Sequence, residues 1–212
     1  MSESAAAAIE PALLEAARRT LRKHGYKNMT AERVALEAGI SRVTLHRRGI
    51  RREDLLAALA DIAVTAYRDA LWPALVSDAT GLQRLRMALS ALFGVAEEYL
   101  EVLIAVQASS DAIFHEEGGS EETAIETRLP FVEPFERVLR DGAADHTLRP
   151  VADPHETATV LFNAAGWTYI HLRHGHRFSA ERARDSLVDL LLGGLIPTKP
   201  VPERAERRRR PQ

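Results

Sequence analysis

Between Gly39 and Leu56 the chain reads GISRVTLHRRGIRREDLL, which sets five arginines and one histidine around a stretch with the apolar spacing of a short helix. Arginine at this density suits anionic partners. Its planar guanidinium pairs with both acceptors of a guanine edge, and as a point cation it neutralises phosphate. Arg42 stands where such a fork would sit at the front of a helix, Val43 offers a methyl surface to thymine, and Thr44 can serve base or phosphate. His46, Arg47, Arg48, Arg51 and Arg52 suit phosphate contact. On the arginines alone, a solvated basic helix is as good an account.

The elements that would have to hold these side chains decide between the two. Ile9, Leu13, Ala16, Ala17 and Leu21 recur at helical spacing, and His24-Gly25 closes a helix over 9–24. Thr30 is a good N-cap for a second helix, 31–38, with Val34, Ala35 and Ala38 on its apolar side. Gly39 follows where a left-handed residue ends a helix cheaply, and Ser41 caps a third helix over 42–48. Two short helices joined by a glycine-containing turn, the second capped by serine and rich in arginine, form a helix-turn-helix pattern. Val34, Ala35, Ile40 and Leu45 would be its packed inner faces.

Residues 13–59, LLEAARRTLRKHGYKNMTAERVALEAGISRVTLHRRGIRREDLLAAL, resemble the N-terminal DNA-binding domain of the TetR family of bacterial one-component repressors. The resemblance rests on Ala16-Ala17, Gly25-Tyr26, Thr30, Ala38-Gly39-Ile40-Ser41, Thr44-Leu45 and Glu53-Asp54-Leu55-Leu56. It implies an interface built from Thr30, Ser41, Arg42, Val43, Thr44, His46, Arg47, Arg48 and Arg52. Three positions depart from the family pattern: His46 stands where tyrosine is usual, Gly49 where phenylalanine is usual, and Arg52 where lysine is usual. The expected repair at Gly49 is a left-handed C-cap with Ile50 packing back in place of the ring.

The rest of the chain reads as helix throughout. Leu55, Leu56, Leu59, Ile62, Ala63 and Ala66 mark a long helix from about 52 that should end near Pro73. Thr80 or Gly81 opens the next, residues 99–115 continue helically, and 115–122 is a loop. A helix over 121–142 has to tolerate Pro130 and Pro134, so a kink or break there is expected. Asp153-Pro154 opens a helix to about 174, and Ser179 caps a last one to about 195. No alternating strand pattern and no internal repeat appear, so the fold class is all-α.

The expected organisation is a helix-turn-helix domain over 1–52, a linking helix over about 52–72, a helical effector-binding and dimerisation domain over 53–196, and a disordered tail over 197–212. Charge agrees with it. Residues 1–52 carry 11 Lys and Arg against 5 Asp and Glu, whereas 53–202 carry 12 against 23, so the overall −2 hides a basic head on an acidic body.

What the resemblance implies for the larger part is a homodimer formed through the last two long helices, and a small-molecule effector. Val160, Leu161, Ala164, Trp167 and Leu172 on one helix, and Leu187, Val188, Leu190 and Leu191 on the other, supply the apolar faces. Phe93, Tyr99, Phe114, Phe131, Phe135, Phe162 and Trp167, with His115 or Asn163 as a polar anchor, are candidates to line the effector pocket. The partners are then double-stranded operator DNA, a second copy and the effector.

Other classes fare worse. There are no cysteines, which removes disulfides, thiolate metal sites and cysteine nucleophiles. His171, His174 and His176 fall as HLRHGH with no carboxylate among them, and neither a nucleophile elbow nor a glycine-rich phosphate loop is present. No enzyme activity, cofactor or metal is expected. With no secretion signal and no apolar run of about 20 residues, the expected location is cytoplasmic and off the membrane. The competing readings are an all-α enzyme or metal-binding protein with an incidental basic N-terminus, and a DNA-binding adaptor without an effector.

Overall fold

The computed structural model describes residues 9–109 and 131–197, and among these every regular element is helical. In chain order the helices are α1 (Pro11–His24), α2 (Ala31–Glu37), α3 (Arg42–Arg47), α4 (Arg52–Val76), α5 (Gly81–Glu98), α6 (Leu100–Ser109), α7 (Glu133–Ala144), α8 (Pro154–His174) and α9 (Ala180–Gly193). A short 3-10 turn, Tyr26–Asn28, joins α1 to α2. The segment 110–130, with the loop and the start of the helix expected over 121–142, lies outside the described residues, as does the tail from 198.

The starts of these helices follow from local chemistry. Each helix leaves its first N–H groups without intrahelical partners, and a side-chain oxygen one residue upstream takes one or two of them. Thr30 accepts from Arg33 N, Ser41 from Thr44 N, Thr80 from Gln83 N and Ser179 from Arg182 N. Asp153 accepts from both His155 N and Glu156 N. These last two bonds, Glu156 N first, and the nearby cations hold the Asp153 carboxyl below its ordinary range, against desolvation.

One sequence expectation needs correction. The long helix α4 does not stop at Pro73 but runs three residues on to Val76. Proline removes one donor, the bond to the Asp69 carbonyl, and Asp69 is exposed so that water can take its place. The final carbonyls are held from outside the helix. The buried Arg84 donates to Ala74 O at 2.8 Å and Leu75 O at 3.3 Å while pairing with Asp141 at 2.6 Å. At Pro134 the break is the outcome: the proline falls in the first turn of α7, where a missing N–H costs nothing, and the helix starts there.

Packing divides the chain into a small group, α1 to α3 with the start of α4, and a larger bundle of α4 to α9. In the bundle α5 is central, touching α4, α7, α8 and α9. It crosses α7 so closely that a Cβ on Gly81 would lie 2.1 Å from the Gly142 Cα. Gly81 cannot be replaced without separating the helices, and a Cβ on Gly142 would lie 2.4 Å from the Leu148 side chain. Asp145 and Thr147, just past α7, accept from Gly81 N and Leu82 N at 2.7 and 3.0 Å, which joins the crossing by hydrogen bonds as well.

A polar cluster ties α5 to α8. Arg173 donates to both oxygens of Glu97 at 2.6 Å, Tyr169 OH donates to Glu97 at 2.9 Å, and Arg173 also reaches Phe178 O. The Arg173 bonds, and then the Tyr169 bond, hold the Glu97 carboxyl below its ordinary value against desolvation. Its stabilising contribution is therefore fully present above the unfolded glutamate pKa and is lost as pH falls through the lower folded one. Thermal unfolding of wild type and Glu97→Gln followed from pH 7 to pH 3 should show the variant less stable at neutral pH, with the gap closing in acid.

Candidate nucleic-acid interface

The short helix α3 owes its position to one side chain and two turns. Leu45 is 1% exposed and shares an apolar cluster with Val34 and Ala35 of α2 and with Leu13, Leu21, Met29, Leu55 and Leu59. The turn before it is a Schellman closure of α2. Gly39 sits at φ +70°, its N–H bonds to Leu36 O at 3.1 Å, and Ile40 N bonds to Ala35 O at 3.0 Å. Ser41 then restarts the chain as a helix, its hydroxyl 3.1 Å from Thr44 N and 2.9 Å from Thr44 Oγ1.

With Leu45 facing inward, Arg42, Val43, His46 and Arg47 face out. Val43 is 74% exposed, unusual for so apolar a residue and suited to a methyl contact. Thr44 is half-buried, with its hydroxyl held by Ser41. Thr30 and Ser41 are exposed and serve as caps. Arg48 and Arg52 stand beyond the end of α3, on the same short segment as His46 and Arg47.

Most of these cations already have acidic or aromatic neighbours. Arg42 Nε lies 3.0 Å from Glu32 Oε1, and Arg48 Nη1 lies 3.0 Å from Glu10 Oε2. Asp54 accepts from the Arg51 backbone N–H at 2.9 Å and from its guanidinium at 3.1 and 3.2 Å, bonds at the start of α4 that hold the Asp54 carboxyl below its usual range. Arg52 pairs with Glu53 at 3.2 Å and stacks over the Tyr26 ring at 4.5 Å. All are exposed pairs of the kind that contribute little to stability and exchange readily for a stronger anion. Glu32 and Tyr26 were not found from the sequence. Ten residues and a turn separate Glu32 from Arg42, and no periodicity links them.

Gly49 takes φ +68°, and its N–H bonds to His46 O at 3.0 Å. Ile50 is half-buried against the same apolar cluster. Gly49 is thus a left-handed cap, with Ile50 packed back on the cluster beside it.

The group α1 to α3 is anchored on both sides. Glu37, at the end of α2, receives Arg19 and Lys23 of α1 at 2.8 Å each, and Lys23 and then Arg19 keep its carboxyl below the ordinary range. On the opposite side Arg18 donates to Glu101 at 3.0 Å and to Glu98 O, lies 4.5 Å over the Tyr99 ring, and is joined by Arg22 at 3.2 Å from Glu101. The α5–α6 junction is thereby fastened to α1.

Known proteins share this geometry. Residues 13–59 match the family model described as bacterial regulatory proteins, tetR family. In this segment the chain is similar to the DNA-binding domain of that family. The matched segment starts inside α1, spans α2, the turn and α3, and ends in the first turns of α4.

Solved structures share the fold over nearly their whole length. A transcriptional regulator of Saccharomonospora viridis in complex with choline is 22% identical, with a TM-score of 0.69, covering 88% of this chain and 97% of that one. PfmR of Thermus thermophilus, a TetR-family regulator, is 21% identical with a TM-score of 0.66, covering 86% and 97%. AibR, solved with isovaleryl coenzyme A and operator DNA, is 19% identical with a TM-score of 0.62, covering 84% and 95%. No curated protein matches the chain in sequence.

Of the residues read as candidates for an effector pocket, the structure gathers three. Phe131, Phe135 and Phe162 form an aromatic cluster, with ring centroids 5.3 Å apart for Phe131 and Phe162 and 6.1 Å for Phe135 and Phe162. Tyr67 of α4 completes it, stacked on Phe131 at 5.6 Å. Tyr67 was missed in the sequence, although continuing the spacing of Leu59 and Ala63 leads to it.

The other candidates lie elsewhere. Phe93 stacks on Tyr169 at 5.0 Å, deep in the core, and Tyr99 lies under Arg18. Asn163 is exposed and donates to Thr159 O, while Trp167 is half-buried on α8. Phe114 and His115 lie outside the described residues. The volume of about 530 Å³ bounded by Leu75, Glu133, Arg137 and Arg140 is a broad surface cleft lined mainly by charged side chains, and none of the aromatic cluster lines it. Among the described residues no three His, Asp or Glu side chains come together as a metal site, and no helix is long and apolar enough to cross a membrane.

A Cβ at position 49 would meet nothing within 4 Å, so only the positive φ opposes a side chain there. Gly49→Ala and Gly49→Phe should each lower the stability of the protein by about 1–2 kcal/mol in urea unfolding. A gain in stability with phenylalanine would show instead that the head lacks a packing element.

Proposed function

We propose that the chain is a homodimeric DNA-binding transcriptional regulator, acting as a repressor released by a small-molecule effector, with α3 as the helix that enters the major groove. The observation that carries this reading is α3 itself: a six-residue helix seated on buried Leu45, with Arg42, Val43, His46 and Arg47 turned to solvent inside a segment that matches a DNA-binding family. In this arrangement Arg42 leaves Glu32 to read a base, Val43 touches a thymine methyl, and Thr44 contacts base or phosphate. Thr30, Ser41, His46, Arg47, Arg48 and Arg52 fix the head on the phosphates. The division into a head over 1–52, a linking helix and an effector-binding and dimerisation part over 53–196 goes with this reading.

One short helix reads too few bases for useful specificity, so two heads are required, and the last two long helices are the surface we assign to pairing. Val160 on α8 is 62% exposed and Leu190 on α9 is 75% exposed, with Trp167, Val188 and Leu191 half-buried. Leu161 and Leu187 are already taken up by the chain's own core. The choline and isovaleryl coenzyme A complexes of proteins with this fold support an effector that enters the larger bundle. The Arg18–Glu101 tie would then carry its effect to the head and change the spacing of two heads that must fit grooves about 34 Å apart.

Binding to a promoter fragment measured across a salt series tests the proposal. A dimer that neutralises on the order of eight phosphates should lose log affinity against log salt with a slope of about −7. Arg42→Ala should relax base preference at one position by about 1–3 kcal/mol, whereas Arg52→Ala should weaken binding to all sequences alike. A slope near zero, or no binding to any fragment, would overturn the regulator reading.

A further inference from the structure

We infer that the aromatic cluster between α4, α7 and α8 is a binding site for an uncharged, mostly apolar molecule that carries one hydrogen-bond-accepting oxygen, and that the Tyr67 hydroxyl reads that oxygen. The inference deepens the effector reading given above and rests on it.

Three observations support it. Tyr67 is 3% exposed, and among the described residues its hydroxyl is a buried side-chain polar atom with no hydrogen-bond partner. A buried donor left unpaired is costly, and native structures rarely keep one without a use. Secondly, its surroundings are aromatic: Phe131 stacks on the phenol at 5.6 Å, Phe162 lies tilted at 6.2 Å, and Phe135 backs Phe162 at 6.1 Å. Thirdly, Phe131 and Phe162 are only half-buried, so the cluster reaches the surface through the two rings that touch Tyr67. A ligand enters by displacing them.

The chemistry of the site narrows the ligand. Burial alone raises the Tyr67 phenol above its ordinary range, with no charged side chain contributing, so at neutral pH the group is a donor in an uncharged setting. A carbonyl or ether oxygen satisfies that donor, and the rings cover the remainder of the molecule. An anion would find no paired cation in the cluster. A quaternary ammonium would gain from the ring faces but would leave the hydroxyl still without an acceptor.

The test uses the full-length protein without DNA and three probes built on one ring: acetophenone, isopropylbenzene as its oxygen-free counterpart of similar shape, and phenyltrimethylammonium. Affinities are measured by calorimetry for wild type, Tyr67→Phe and Phe93→Leu, the last altering an aromatic pair outside the cluster. The preference for acetophenone over isopropylbenzene should fall about tenfold in Tyr67→Phe, the worth of one uncharged hydrogen bond, and remain unchanged in Phe93→Leu. Without any probe, Tyr67→Phe should melt at the wild-type temperature or above it, because it removes an unpaired group. An unchanged preference, tighter binding of the ammonium, no binding of any probe, or a Tyr67→Phe protein that melts several degrees lower would each overturn the assignment. Promoter binding, measured separately, keeps the two proposals apart. If it is absent while the preference responds to Tyr67→Phe, the regulator reading fails and the site stands. If it is present while the preference is unaffected, the site alone fails.

Discussion

Burial of Leu45 is the contact on which the candidate interface depends. A helix of six residues is too short to persist in water by its own hydrogen bonds, since nucleation costs more than one turn returns. It is held because one leucine enters a cluster built by α1, α2 and α4, while a left-handed glycine on either side of α3 brings the chain in and takes it away at fixed angles. Every outward residue of α3 takes its direction from that insertion. At the far end of α3 the positive-φ Gly49 supplies a sharp stop and the half-buried Ile50 packs on the same apolar floor.

Electrostatics then sets what the head does when nothing is bound. Arg42, Arg48, Arg51 and Arg52 rest on Glu32, Glu10, Asp54 and Glu53, so the cations are held in place by weak, exposed pairs. The better-buried pair, Arg18 with Glu101, faces the other way and links the head to the bundle. One side of the head can exchange its partners at little cost, and the other is fastened to the part of the protein where a small molecule would act. That division gives a physical route between the two, running from the α5–α6 junction through α1 to the cluster under α3.

Much of this was legible in the sequence, because much of it is local. Thr30, Ser41, Asp153 and Ser179 cap the helices they were expected to cap, Thr80 rather than Gly81 caps α5, and Gly39 and Gly49 take the left-handed conformation that their places after apolar helical runs require. What escaped was decided by residues far apart in the chain. The extension of α4 past Pro73 depends on Arg84 arriving from another helix. The pairing of Arg42 with Glu32 depends on the turn angle, and the division of the aromatics into a Phe93–Tyr169 stack and a Tyr67–Phe131–Phe162 cluster depends on how α4, α5 and α8 cross. Composition could nominate the aromatic rings but could not sort them, and it passed over the tyrosine whose hydroxyl is unpaired.

The central claim is that paired heads present α3 to successive major grooves. Selection of DNA fragments from a random duplex pool by the full-length protein, followed by sequencing, addresses it most directly. Enriched fragments should carry two inverted half-sites whose centres lie about one helical turn apart. Enrichment of no sequence, or of a single unrepeated element, would contradict the claim.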